Sequence, residues 1–176
     1  MGELRSSDSS GMSREEIRNR FRPQATRLLL VGESPPANGT FFYNADSRLY
    51  SHTITAFERA GLVPERQAFF LDTFRDLGCF LDDLCRSPVN NRPRPERQAA
   101  RDRSVPGLSS RLREIRPRVV VCVMIAIVPA VRRALEAAGM HEKAFHSVPF
   151  PAQGHQREYV EGLAQIVSRL DGFPSV

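Results

Sequence analysis

The run Leu28-Leu29-Leu30-Val31 constrains this chain more than any other feature. Four consecutive apolar side chains without polar alternation describe a strand buried on both faces, as in a parallel sheet covered on each side by helices. The run ends in Gly32-Glu33-Ser34-Pro35-Pro36, which puts an acid and a hydroxyl where the strand leaves the sheet. In open α/β sheets, ligands bind just outside the carboxyl ends of the strands. Gly39 then supplies a turn, and Phe41, Phe42 and Tyr43 follow in an otherwise polar loop. The trio has two readings: a platform for a flat ligand, or a plug over the end of the core.

The rest of the chain alternates apolar runs with helical patterns. Residues 1–12 are polar and Ser/Gly-rich and read as a disordered tail, leaving 13–176 as one domain. Ser13-Arg14-Glu15-Glu16 is a capping box opening a helix that ends before Pro23. Ser51 is expected to cap a helix carrying Ile54 and Phe57 and closed by Gly61. The second strand is expected over residues 68–73 (AFFLDT), ending near Asp72. Leu77, Phe80, Leu81 and Leu84 then fall at helical spacing. Leu108, Leu112 and Ile115 mark a helix leading into a third strand over 119–124. Val128, Val131 and Leu135 mark the next helix, stopped near Gly139. A fourth strand over 145–150 precedes a last helix beginning near Gly154-His155, with Val160, Leu163, Ile166 or Val167, and Leu170 on its buried stripe. Four such alternations predict a three-layer α/β/α sandwich around a four-stranded parallel central sheet.

Length and composition fit a globular domain with a substantial core. No apolar run approaches the roughly 20 residues that span a bilayer, and the N-terminus lacks the layout of a signal peptide. Cys79, Cys85 and Cys122 lack metal-ligand spacing and read as reduced, buried thiols in a cytoplasmic protein. The net charge of +5 comes from arginine, since Lys143 is the only lysine. Arginine pairs bidentately with phosphate and stacks on bases, so a polyanionic partner is expected. The most basic stretch, residues 86–103, holds six arginines, with Pro88, Pro93 and Pro95 keeping its first half extended. It reads either as a solvated loop or as an arm on phosphates, with Arg92 and Arg94 at its centre.

Polar groups gather at one sheet edge: Glu33 and Ser34 after the first strand, Asp72 after the second, and Gln153, His155 and Gln156 after the fourth. Each has a structural alternative, as a helix cap, a turn residue or a surface group. Phosphate-cradle motifs of the GxxxxGK[ST] or GxGxxG kind are absent. So is a GxSxG nucleophile elbow, and four scattered histidines offer no metal site.

The stretch GESPPANGTFFY resembles the first motif of the uracil-DNA glycosylase superfamily, most closely the branch written GEAPG or GESPG. CRSPVNNRPRP is similar to that branch's CRPPxNRxPxP segment, LSSRLREIRPRVVVCVM to its helix–Pro–strand unit, and PFPAQGHQREYVEGL stands in the place of its second motif. The resemblance runs from Leu28 to Leu170 in the same order. It implies a uracil-DNA glycosylase-like fold and a monomer that excises uracil or another damaged base flipped out of DNA.

Carried over by position, Glu33 stands at the water-associated acid and His155 at the histidine that stabilises the departing base. Phe42, or Phe41 in the alternative register, stacks on the base, and Asp72 falls near the base-reading asparagine. Gly32, Ser34, Pro35, Tyr43 and Gln156 complete the expected substrate contacts, with Arg92 and Arg94 on DNA phosphates. The chain departs from the pattern in lacking His-Pro-Ser in the second motif. Asp72 also replaces an amide, and an ionised carboxylate only accepts hydrogen bonds. The iron–sulfur branch uses four cysteines and only Cys85 falls near one, so no cofactor and no metal are expected. The alternative function is a non-catalytic protein of the same fold that binds a base, nucleoside or nucleic acid.

Overall fold

The computed structural model describes residues 11–65, 68–140, 145–170 and 173. The expected disordered tail lies outside these residues except for Gly11 and Met12, and Met12 packs against the core. The first helix, α1 (Arg14–Arg20), opens with the expected capping box between Ser13 and Glu16. Strand β1 (Leu28–Gly32) is buried at every position, so both faces of the sheet are covered.

Helix α2 (Arg48–Arg59) begins one turn earlier than expected. Ser47, not Ser51, is the cap, its hydroxyl accepting from Tyr50 N. Gly61, at φ 71°, closes the helix as expected.

The next two elements are exchanged relative to the expectation. Residues expected as the second strand form α3 (Phe70–Asp76), and β2 (Cys79–Asp83) lies where a helix was expected. In α3, Phe70 and Phe74 stand one turn apart and pack edge-on or tilted against Phe57 of α2. Gly78 stops the helix at φ 80°, a conformation that glycine reaches without a Cβ penalty.

Much of the expected basic arm is also helical. Helix α4 (Arg94–Ile115) runs for 22 residues with Pro106 inside it. Strand β3 (Val119–Cys122), helix α5 (Val128–Ala137), strand β4 (Phe145–Ser147) and helix α6 (Gln156–Val167) follow as expected, with both strands shorter.

The four strands are parallel in the order β2-β1-β3-β4. Helix α2 packs on α6 and α4 on α5, an arrangement consistent with a three-layer α/β/α fold. Leaving β1 the chain turns to one side, to β2, and leaving β3 it turns to the other, to β4. The crevice above the carboxyl ends of β1 and β3 is therefore a topological switch point, where such sheets bind ligands.

Candidate functional site at the switch point

A cavity of about 500 Å³ opens at that crevice. Every strand contributes to its wall: Gly32 and Glu33 end β1, Leu81 and Asp83 belong to β2, Met124 follows β3, and Phe150 and Ala152 follow β4. The loop from Ser34 to Leu49 forms the facing wall, and Asn90 and Arg97 close one side.

That loop is held by its own polar residues. Asn90 Oδ1 accepts from Ala37 N at 3.0 Å, Ser34 Oγ accepts from Val89 N at 3.2 Å, and Asp46 Oδ1 accepts from Phe41 N at 2.7 Å. Pro35 and Pro36 fix φ on the way, and Gly39 turns the chain at φ 90°. The wall is thus shaped before any ligand arrives.

The aromatic trio plugs the end of the core, and two of its rings also border the cavity. Phe41 and Phe42 line the cavity yet are only 1% and 3% exposed. Phe42 packs against Tyr43, Tyr50 and Phe74, and the Arg18 guanidinium lies 5.4 Å from the Phe41 ring centre. Tyr43 lies outside the lining. Its hydroxyl donates to Leu81 O at 2.9 Å and accepts from Leu81 N at 2.7 Å, and burial raises its pKa well above the ordinary value.

Glu33 is buried in the cavity wall as an ion-paired carboxylate. Arg97 Nε donates to Oε1 at 2.7 Å while Arg97 Nη2 pairs with Oε2. Arg101 adds Nε and Nη2 contacts to Oε1 at 2.7 and 2.5 Å. Both arginines lie on α4, one turn apart, so the carboxylate ties the helix to the end of β1.

A second ionic cluster lies beneath β2. Arg18 Nη2 reaches Asp83 Oδ2 at 2.6 Å, Arg111 Nε reaches Asp82 Oδ2 at 2.6 Å, and Arg86 Nη1 lies 3.3 Å from Asp82 Oδ1. Burial works against the charge of Arg18, but Asp83, Asp82 and Glu15 outweigh it and its pKa is raised. Burial pushes the Asp83 carboxyl up to about 6 despite Arg18.

The structure separates the remaining expected site residues. Asp72 is not at a strand end: it sits in the first turn of α3, half-exposed, paired with Arg75 at 3.1 Å and away from the cavity. The group ending β2 in the cavity is Asp83 instead. His155 precedes α6 on the surface with Nδ1 3.1 Å from Glu158. Neither it nor Gln156 belongs to the cavity lining, although their loop reaches it through Phe150 and Ala152. Arg92 and Arg94 are exposed, outside the cavity. Sequence reasoning missed Arg97, Arg101 and Asp83. The helical spacing of Arg97 and Arg101 was a usable signal, but the prolines before them suggested a loop.

Among the described residues, no group of three or more His, Cys, Asp or Glu side chains could hold a metal ion. Cys85 lies beside Ser104, while Cys79 and Cys122 are buried within β2 and β3. This set does not fit an iron–sulfur cluster. No helix among the described residues is long and apolar enough to cross a membrane.

No protein-family model matches the chain, and no characterised protein matches it in sequence. The resemblance to the uracil-DNA glycosylase superfamily rests on the motifs themselves.

Proposed function

We propose that this protein recognises a nucleobase flipped out of DNA and hydrolyses its N-glycosidic bond. The observation that carries the reading is the switch-point cavity, because the GESPPANGTFF stretch that resembles the superfamily's first motif forms its wall. Its volume suits a base with part of its sugar, and Phe41, Phe42, Met124 and Phe150 give it flat apolar surface.

Breaking the bond builds positive charge on the sugar and negative charge on the base. Fixed charges aimed at those atoms stabilise the transition state more than the ground state. Glu33, held by Arg97 and Arg101, is such a fixed negative charge. Arg97 lines the cavity and can take the task first given to His155, as a cation held in place by Glu33. Arg92 and Arg94, exposed without side-chain partners among the described residues, are free to meet DNA phosphates.

A second reading has its own observation. Both Glu33 oxygens are already engaged by guanidinium groups, and the surface position of His155 leaves the cavity without a histidine. A pocket of this kind also suits a protein that binds a base without cutting it out.

The test is an excision assay across uracil, hypoxanthine, xanthine and alkylated bases in single- and double-stranded DNA, run beside binding measurements on the same oligonucleotides. Base release abolished by Glu33→Gln, with the variant's unfolding curve recorded to separate chemistry from stability, supports the enzyme. Binding without release of any base rejects it in favour of the binder.

A further inference from the structure

Asp83 is an acidic group in the cavity that the proposed chemistry leaves without a task. Asp83, the last residue of β2, is 4% exposed and lines the cavity. Its Oδ2 accepts from Arg18 Nη2 at 2.6 Å, and among the described residues no donor reaches Oδ1. Gly32, its register partner on β1, leaves the space for that oxygen: a Cβ at position 32 would lie 2.7 Å from Asp83 Oδ1. The described side-chain polar atoms that are fully enclosed without a partner are Arg18 Nε and Ser109 Oγ; Asp83 Oδ1 is not one of them and stays open to the cavity.

We propose that Asp83 Oδ1 accepts an N–H of the bound base and selects bases whose inward edge carries adjacent N–H donors, as in the amino-lactam edge of guanine. The inference rests on the base-binding reading and adds the class of base. An ionised carboxylate offers lone pairs only. With Oδ2 held by Arg18, one oxygen remains, and it can receive a ring N–H together with a neighbouring amino N–H. A uracil-type edge sets carbonyls on both sides of its single N–H, and their lone pairs would face the same oxygen. An acceptor facing an acceptor forfeits the hydrogen bond and leaves both groups unpaired.

The charged groups around Asp83 are Arg18 from α1, Asp82 from β2, Arg86 just after β2 and Arg111 from α4. Tyr43 and Cys85 also face Asp83, and Glu33, Asp46, Arg48 and Arg97 line the same cavity. Among them the Asp83 carboxyl titrates at about 6, so the acceptor is ionised at pH 7.5 and fades below pH 6.

Guanosine and inosine, which differ only by the 2-amino group, are the probes. Titrated into the full chain at pH 7.5, guanosine is expected to bind about tenfold to a hundredfold more tightly, the span of a hydrogen bond to a charged group. The ratio should shrink as pH is lowered to 5, a range over which neither nucleoside changes its ionisation, and should collapse in Asp83→Asn. Equal binding at pH 7.5, or tighter inosine, overturns the proposal and leaves the base pocket standing. So does a guanosine preference that survives in Asp83→Asn. If no nucleoside binds, uridine included, the base-binding reading fails and the proposal with it. Should Asp83→Asn fail to fold once Arg18 loses its carboxylate, the wild-type ratio and its pH dependence still decide.

Discussion

Gly32 and Asp83 are register partners on neighbouring strands, and the Asp83 carboxylate fills the space a side chain at position 32 would need. A methyl group there would sit 2.7 Å from Oδ1. That oxygen cannot swing aside freely, because its partner Oδ2 is bound to Arg18. Gly32→Ala is therefore expected to lower stability by about 1–3 kcal/mol through overpacking and to weaken ligand binding. Urea unfolding with the slope unchanged would measure the first effect. A variant as stable as the wild type would mean that the strand ends are looser than described.

Tyr43 gives a second expectation. β2 is an edge strand, and the Tyr43 hydroxyl satisfies both backbone groups of Leu81 as a further strand would. Tyr43→Phe removes one oxygen and leaves a buried N–H and a buried carbonyl without partners. The expected loss is about 2–4 kcal/mol, from two groups at 1–3 each with partial relaxation. Hydrogen exchange should show the Leu81 amide losing protection before the amides of β1.

Asp83 also sets a pH dependence of stability. In the folded chain it keeps its proton to about pH 6, against an ordinary value of 3.8. Between those values the unfolded chain binds fewer protons, so stability falls as pH rises through the window. The full fall is about 3 kcal/mol. The difference in unfolding free energy between wild type and Asp83→Asn should thus be most favourable to the wild type near pH 4 and shrink toward pH 7. A difference that grows over that range would reverse the assignment.

Glu33 holds α4 as well as facing the cavity, so its replacement has two effects. Glu33→Gln leaves the Arg97 and Arg101 guanidiniums without a carboxylate. Removing one partner of a buried pair typically costs about 3–5 kcal/mol, and the part-exposure of Arg97 puts this case at the lower end. Arg97→Lys keeps the charge but loses the two-pronged contact and should lower any excision rate while moving the melting temperature less. Equal melting temperatures for Glu33→Gln and wild type would show that the clamp contributes nothing to the fold.

If DNA is the partner, the salt dependence should identify its contacts. Each phosphate contact adds about 0.9 to the slope of log affinity against log salt. Replacing Arg92 and Arg94 together by Ala should flatten that slope by about 2 without changing which base is preferred. An unchanged slope would free both residues from the interface.

The sheet was legible where hydrophobic runs were unbroken, as in 28–31 and 119–122, and its carboxyl edge followed from where those runs stopped. The exchange of α3 and β2 has a physical cause. Asp82 and Asp83 are buried only because Arg18 and Arg111 meet them from 65 and 29 residues away, and a local pattern cannot show that. Their charge broke the strand signal and let the spacing of Leu77, Phe80, Leu81 and Leu84 read as a helix. Gly78, as the stop of the preceding helix, was the available clue. In the basic stretch Pro93 and Pro95 sit at the start of α4, where proline is tolerated. Taken as loop markers, they hid the helix that carries Arg97 and Arg101 into the site. Glu33 and Phe42 needed only their place after β1. Asp72 was placed by a strand expected over 68–73, most of which is helix α3, and His155 by the loop after the fourth strand, which reaches the cavity only through Phe150 and Ala152.

The cavity walls come from positions as distant in the chain as Gly32 and Ala152. During synthesis the proline-braced first wall emerges early and waits for more than half the chain before the turn after β4 closes the enclosure. Pairings over such separations form late, since loop closure must precede them. The cavity is therefore a property of the finished fold alone, and a ligand that fills it should protect every layer at once, by mass action, against heat and proteases.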